Sequence, residues 1–203
     1  MKPILVLYAT REGHCRLLAE HIAVRLRDHG HAAYVVDAKQ VKPPFQLSGY
    51  SGALLISPVH ATLHASELEQ FLRDHTFELG HMPSLVLSVS LSQAGVELGT
   101  VTEAQRAKAQ RDVSFLIDKL AQRTGWSPVK VVPVAGCLAY THYGFFKRLI
   151  LRRIAKASGG STDTSRDHVY TDFAALDRRV DAFVAALRMP EARVAAAPLS
   201  AAP

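Results

Sequence analysis

Short apolar segments alternate with amphipathic segments along most of this chain, and that alternation limits the folds open to it. The segment 4–9 is continuously apolar, as in a strand covered on both faces of a sheet. Between 14 and 29 the apolar residues recur every three or four positions, which predicts a helix with one buried face. Further strands are predicted at 33–37, 53–57, 85–89 and 129–135, and further helices at 65–79, 102–125 and 172–187. Strands that alternate with helices favour parallel pairing with helices on both faces of the sheet.

This order of elements predicts an α/β fold with a doubly wound, five-stranded parallel sheet in the order 2-1-3-4-5. The segments 38–51 and 91–101 are predicted loops. One domain takes up 1–188, and the Ala- and Pro-rich segment 189–203 is predicted to be a disordered tail. Ligands of such sheets bind beyond the carboxyl ends of the strands, at the switch point between the first and third strands.

Composition supports a folded domain in a reducing compartment. Apolar residues make up 48% of the 203 residues and charged residues 21%, which is enough to form a core. No apolar run approaches the about 20 residues that a membrane-spanning helix needs, and the apolar start is interpreted as the first strand of a cytoplasmic protein. The only two cysteines, Cys15 and Cys137, are expected to lie well apart in the sheet and to form no disulfide. The spacing of His60 and His64 is too weak a pattern to predict a metal site.

The net charge of +6 is concentrated in one segment. Between 139 and 157 there are five basic residues and no acidic residue. A patch of this kind indicates an anionic partner, which could be a membrane surface, a nucleic acid or an anionic ligand. Nucleic acid is disfavoured, because the segment has neither aromatic platforms nor a groove-reading helix.

The loop that joins the first strand to the first helix is the candidate phosphate site. It runs from Thr10 to Arg16 and contains a single glycine, Gly13. A strand that enters a helix through a small polar loop presents free N–H groups and the positive end of the helix dipole, which suits a monophosphate. Neither G-x-G-x-x-G nor G-x-x-x-x-G-K-[ST] is present, so dinucleotides and triphosphates are disfavoured. An ordinary turn that binds nothing remains the alternative on this loop alone.

The T-R-E-G sequence of this loop resembles that of the flavodoxin-type, quinone-dependent protoporphyrinogen IX dehydrogenases. The similarity extends over 1–188 and includes Met82-Pro83-Ser84 and Ser88-Val89-Ser90-Leu91. Its most specific parts lie near the C-terminus: Ala135-Gly136-Cys137-Leu138, the block Ser158 to Thr164, and Val169-Tyr170-Thr171-Asp172. A generic flavodoxin has no reason to carry these motifs.

The resemblance implies that FMN is held by three loops at the carboxyl ends of the strands. The expected cofactor-binding residues are Thr10, Arg11, Glu12, Gly13, His14 and Cys15 for the phosphate, and Pro58, Val59, His60, Ala61, Ser90, Leu91 and Ser92 for the isoalloxazine. The chain departs from the family pattern at two points. Cys15 stands where a threonine is usual, and His60-Ala61 replaces an Arg-Tyr pair.

The segment 139–167 corresponds to the insertion of long-chain members of this fold. As a helix, 145–157 would carry an apolar stripe opposite a basic stripe, which suits an anionic membrane surface or the propionates of a tetrapyrrole. A packing helix with a solvated basic face is the alternative. The residues expected to contact substrate or membrane are Tyr140, Tyr143, Lys147, Arg148, Arg152, Arg153 and Lys156.

The function implied by the resemblance is FMN-dependent oxidation of protoporphyrinogen IX to protoporphyrin IX in haem biosynthesis. The electron acceptor would be a quinone, menaquinone or ubiquinone, and the protein would be cytoplasmic and attached peripherally to the inner membrane. The flavin supplies the redox chemistry, so no catalytic acid or base is named. A homo-oligomer is left open. The alternative is a flavodoxin-like electron-transfer module or quinone reductase with weakened FMN binding, although carrier flavodoxins are usually acidic and this chain is basic.

Overall fold

The computed structural model of this chain describes residues 2–126, 131–138, 140 and 163–188. The disordered tail expected at 189–203 and the basic helix expected at 145–157 lie outside the described residues. The architecture below concerns the described part of the chain.

A central parallel sheet organises the molecule. The strands are β1 (Ile4–Tyr8), β2 (Ala33–Asp37), β3 (Gly52–His60), β4 (Leu63–His64), β5 (Ser84–Ser90), β6 (Val131–Ala135), β7 (Cys137–Leu138) and β8 (His168–Val169). Five of them are parallel neighbours in the order β2-β1-β3-β5-β6. The two-residue β4 pairs antiparallel with the end of β3. With β4 set aside, the predicted order 2-1-3-4-5 is confirmed.

Helices follow the strands and cover both faces of the sheet. They are α1 (His14–Asp28), α2 (Ser66–Asp74), α3 (Thr76–Gly80), α4 (Leu91–Glu97), α5 (Glu103–Thr124) and α6 (Phe173–Arg188). α5 begins with a complete capping box on Thr102 and ends at Gly125, whose φ of 67° places it in the left-handed region. The alternation of side chains along β1 separates the two halves of the core. Ile4 and Val6 pack with α1 and α6, whereas Leu5 and Leu7 pack with α2 and Leu120 of α5.

The structure corrects three sequence-based boundaries. Much of the segment expected as a loop at 91–101 is the helix α4, because the Ser90 hydroxyl caps its start by accepting a hydrogen bond from the Gln93 N–H at 3.2 Å. The helix expected at 65–79 is broken at His75 into α2 and α3. The strand expected at 53–57 continues to His60, where the chain turns back into β4.

A second, smaller strand pair joins the two ends of the insertion. β7 and β8 pair antiparallel, with Cys137 opposite Val169 and Leu138 opposite His168. The Tyr170 N–H donates to the Gly136 carbonyl at 3.0 Å and continues this connection. The residues that follow the insertion are thereby brought back beside the carboxyl end of β6.

Among the described helices, none has the length and apolar character required to cross a bilayer.

Candidate functional site

A cleft opens beyond the carboxyl ends of β1, β3, β5 and β6. It is open to solvent, and the cavity within it measures about 80 Å³. Its walls are formed by Thr10, Arg11, Glu12, His14, Cys15, Pro58, Val59, His60, Val89, Ser90, Leu91, Gly136 and Cys137. The structure thus brings together residues from all three predicted loops at the predicted switch point. Gly13, Ala61 and Ser92, which the sequence also suggested, do not line the cleft.

The loop after β1 is shaped as an anion site. Gly13 has a φ of 87°, which favours glycine, and its N–H donates to the Thr10 hydroxyl at 3.0 Å. Gly13 is the N-cap residue of α1, and no side chain among the described residues caps this helix. The N–H groups of the first turn are therefore not occupied by a capping oxygen, and they lie at the positive end of the helix dipole. A phosphate monoester is the kind of ligand that fits this geometry.

His14 is held in place by Thr171, which lies in the short segment between β8 and α6. Its Nε2 lies 2.9 Å from the hydroxyl of Thr171, which in turn donates to the Ala135 carbonyl at 2.5 Å. Burial lowers the pKa of His14 below its ordinary value, so the ring is neutral at pH 7. His14 thus faces the cleft while it is bonded to residues outside it.

Cys15 and Cys137 line the same cleft, so the expectation that they lie well apart is wrong. Their strands, β1 and β6, are separated in the sheet by β3 and β5, but the segments that follow them both line the cleft. Both cysteines are free thiols. Burial raises the pKa of Cys15, and it raises the pKa of Cys137 to about 12. Neither thiol therefore places a negative charge beside an anionic ligand at neutral pH.

The second wall is a tight hairpin at the end of β3. Val59 pairs with His64 and His60 with Leu63, and the turn between them consists of Ala61 and Thr62 with φ values of 48° and 64°. Two successive left-handed residues match the turn that a two-residue hairpin prefers, although neither is a glycine or an asparagine here. The Lys119 ammonium of α5 donates to the Thr62 hydroxyl at 3.0 Å and supports the tip of the hairpin.

Buried polar residues hold this hairpin against the sheet. His64 Nε2 lies 2.8 Å from the Ser88 hydroxyl of β5, and the Ala65 N–H donates to the Ser57 hydroxyl at 3.1 Å. All three of these side chains are buried. Burial lowers the pKa of His64 to about 4, so the ring is neutral at physiological pH. Since Val59 faces His64 across the hairpin, these bonds set the position of the cleft wall.

The third wall depends on both ends of α4. Ser90 caps its start, and Arg106 of α5 donates to the carbonyls of Val96 and Leu98 at its end, the latter at 3.0 Å. Cations near the last carbonyls of a helix stabilise its C-terminus. Ser90 and Leu91 are therefore held at the cleft by contacts made within α4 and from α5.

Gly136 is a cleft residue that sequence reasoning left without a role. A Cβ atom at this position would lie 3.3 Å from Val89 Cγ1 and 3.6 Å from the Ser90 backbone, so the close approach of the two strand ends favours glycine. Its place after an apolar strand, inside a motif already singled out, could have pointed to it. Val89 and Cys137 were missed as well, because an apolar side chain at a strand end looks the same in the core and in a cofactor wall.

The predicted contacts of the insertion are only in part within the described residues. Tyr140 is fully buried and packs near Leu138, Leu91 and Tyr170. It therefore has no surface for a membrane in this conformation. The other predicted contacts lie outside the described residues: Tyr143, Lys147, Arg148, Arg152, Arg153 and Lys156.

Comparisons with known proteins identify the family of this chain. The model of a family described as "Flavodoxin domain" matches residues 5–165, which include every residue that lines the cleft. A protoporphyrinogen IX dehydrogenase [quinone] of Leishmania major is 31% identical over 182 residues, which is 89% of this chain and 74% of that protein. The protein of the same name from Escherichia coli K12 is 29% identical over 169 residues, covering 83% of this chain and 87% of the relative. A Fusobacterium nucleatum flavodoxin solved with flavin mononucleotide has a TM-score of 0.42 at 13% identity, covering 92% of this chain and 97% of that chain.

Proposed function

Because this chain belongs to the flavodoxin-domain family, and within it to the quinone-linked protoporphyrinogen IX dehydrogenases, we propose that it oxidises protoporphyrinogen IX to protoporphyrin IX. FMN is the cofactor and a quinone, menaquinone or ubiquinone, is the electron acceptor. The observation that carries this proposal is that the family match spans the whole cleft, while the named relatives supply the substrate.

The residues of the cleft fit FMN. The N-terminus of α1, which follows Gly13 and has no side-chain cap, suits the phosphate. Gly136 has no side chain, which leaves room between the ends of β5 and β6. The hairpin residues Val59 and His60 would form one wall for the isoalloxazine, and Ser90 and Leu91 the other. FMN, when bound, supplies the redox chemistry of electron transfer from porphyrinogen to quinone.

The chain's own contribution is binding, orientation and electrostatics. Main-chain N–H groups at the start of α1 would compensate the phosphate charge, so the loop could bind a phosphate without a threonine hydroxyl at position 15. The Cys15 thiol remains protonated, so the substitution removes a hydroxyl donor without adding a repelling charge. The bonds from His64 to Ser88 and from Arg106 to α4 fix the two walls before any ligand arrives.

The basic segment of the insertion is part of the same proposal. Lys147, Arg148, Arg152, Arg153 and Lys156 would bind the anionic surface of the inner membrane, where quinones reside, or the propionates of the substrate. The protein would then be a peripheral protein at the cytoplasmic face of the membrane. What supports it is the charge pattern of the sequence, which concentrates basic residues without acids in 139–157.

The test uses the fluorescence of the product. Under anaerobic conditions, the FMN-loaded protein should convert protoporphyrinogen IX to fluorescent protoporphyrin IX when a menaquinone or ubiquinone analogue is present, and should stop early when the quinone is omitted. A fluorescence rise no faster than that of buffer with free FMN and quinone would contradict the proposal. Bound flavin that porphyrinogen leaves oxidised would favour the electron-transfer module instead.

A further inference from the structure

Thr171 lies outside the cleft but connects the end of β6 to the start of α1. Its hydroxyl oxygen lies 2.5 Å from the Ala135 carbonyl at the end of β6 and 2.9 Å from Nε2 of His14 at the start of α1. The side chain is buried and does not line the cleft. Thr171 also belongs to the Val169–Asp172 motif, in which no site residue is predicted from the sequence.

The hydrogen atoms in this chain of contacts can be assigned by counting. A carbonyl oxygen carries no hydrogen, so the short contact with Ala135 must use the single hydrogen of the Thr171 hydroxyl. The hydroxyl can then only accept from His14, which places a hydrogen on Nε2. Since the ring is neutral, Nδ1 of His14 carries no hydrogen. The hydroxyl of Thr171 therefore sets both the orientation and the tautomer of His14.

Thr171 is itself held in place on both sides. The Tyr170 N–H donates to the Gly136 carbonyl at 3.0 Å, and the Asp172 carbonyl accepts from the Leu176 N–H at 3.0 Å in the first turn of α6. Main-chain hydrogen bonds of the residues before and after Thr171 thus hold its hydroxyl in place beside His14.

The bond between His14 and Thr171 is one of several contacts that link α1 to α6 and its approach. His21 Nε2 lies 2.7 Å from an Asp177 carboxylate oxygen, and Arg25 donates to both carboxylate oxygens of Asp181 at 2.8 Å. The two lower contacts and the shared apolar core fix how the helices pack. Loss of the uppermost contact would therefore act locally, on the first turn of α1.

We propose that Thr171 is a positioning residue for the FMN phosphate, acting through His14 on the N-terminus of α1. This inference rests on the proposed FMN binding. Thr171 does not line the cleft itself and reaches it through His14, so its effect should appear at the end of the ligand that α1 binds. The isoalloxazine walls are fixed by other bonds, from His64 and from Arg106.

The experiment compares two ligands that differ only in the phosphate. FMN and riboflavin are titrated into the flavin-free protein, wild type and T171V, with flavin fluorescence as the readout. Because T171V keeps the shape but removes the bridging hydroxyl, we expect its Kd for FMN to rise about 5-fold, corresponding to ~1 kcal/mol, the size of one net hydrogen bond. The Kd for riboflavin should stay within about 2-fold, since no phosphate contact is involved.

Two further variants separate positioning from general stability. T171S retains a hydroxyl and should restore FMN affinity. T124V removes another buried threonine hydroxyl, which donates to the Leu120 carbonyl at 2.8 Å at the far end of α5, and should lower stability without changing the ratio of the two affinities.

The possible results are distinguishable. A wild-type protein that binds neither flavin would overturn the proposed function and this inference with it. Wild-type binding with an unchanged FMN-to-riboflavin ratio in T171V would overturn the inference alone. Should T171V fail to fold, long-range ¹H–¹⁵N NMR of the wild-type protein decides: His14 must appear with its hydrogen on Nε2, and a hydrogen on Nδ1 would reject the inference.

Discussion

His64 Nε2 lies 2.8 Å from the hydroxyl of Ser88, in a buried site that joins the hairpin of β3 and β4 to the middle of the sheet. The pair connects the wall of the cleft to β5, whose own end forms the opposite wall. A buried imidazole can take this place only in its neutral form, because no carboxylate is bonded to it among the described residues. The geometry of the cleft is therefore coupled to the protonation of one histidine.

The free energy of unfolding should fall as the pH drops from about 6.5 to about 4. The unfolded chain binds a proton at His64 near its ordinary pKa of 6.5, whereas burial holds the folded pKa at about 4. Protonation in this window therefore favours the unfolded state, by up to about 3 kcal/mol for this group. His14, whose pKa burial also lowers, acts in the same direction.

Urea unfolding at a series of pH values checks this prediction. H64Q, which has no proton to gain, should show a shallower fall in stability between pH 6.5 and 4 than the wild type. H81Q changes an exposed histidine and serves as the matched control, which should retain the steep fall. Equal slopes in all three proteins would contradict the role given to His64.

Replacement of Ala61 should change stability in opposite directions according to the new side chain. Ala61 has a φ of 48°, a conformation that asparagine tolerates well and that β-branched residues avoid. We expect A61N to raise the free energy of unfolding by about 0.5 kcal/mol and A61V to lower it by about 1–2 kcal/mol. Thermal unfolding of both variants measures this, and a shift of the same sign in both would be inconsistent with a strained turn.

Replacement of Gly136 by alanine should disturb the cleft by crowding Val89. The new Cβ would lie 3.3 Å from Val89 Cγ1, and overpacking of this kind costs about 1–3 kcal/mol. We expect lower stability and weaker FMN binding, measured by thermal unfolding and flavin titration. The double variant G136A/V89A should recover part of both losses. G99A, at a glycine with open space around it, is the control that should change neither.

Charge reversal in the insertion should abolish binding to anionic vesicles. R148E/R152E/K156E should lower the partition coefficient on phosphatidylglycerol-containing vesicles by at least about 100-fold, given ~1 kcal/mol for each basic residue near such a surface. R27E/K42E/R111E makes the same change in net charge at exposed positions elsewhere and should retain most of the binding. Equal loss in both variants would assign the effect to net charge, and binding by the first variant at the wild-type level would refute the membrane role.

The sequence was sufficient where one local pattern decides the structure. The apolar run at 4–9 is compatible only with a buried strand, and the spacing of apolar residues along α1 only with a helix. Gly13 marks the turn between these two elements. α4 could not be found in this way, because it has only seven residues and depends on Arg106 from the next helix. The same holds for β7 and β8, two residues each, whose pairing spans the insertion.

Within the cleft, the sequence indicated the loops better than the individual residues. Strand order alone predicted which loops meet. That Cys15 and Cys137 line the same cleft depends on the path of the loops after β1 and β6, which the spacing of apolar residues does not predict. Thr171 was visible only as part of a motif. Its contact with His14 joins positions 157 residues apart, and a contact of that range depends on how α1 and α6 pack.

The pairing of β7 with β8 allows the insertion to change in sequence and length independently of the sheet. The chain departs after Leu138 and returns at His168, directly opposite, so the gap that the intervening segment must span is already closed by main-chain bonds. Its length and composition can then drift at small entropic cost to the domain, because the cost of a loop grows only slowly with its length. A lineage could therefore change this segment while the sheet and its cleft stay as they are.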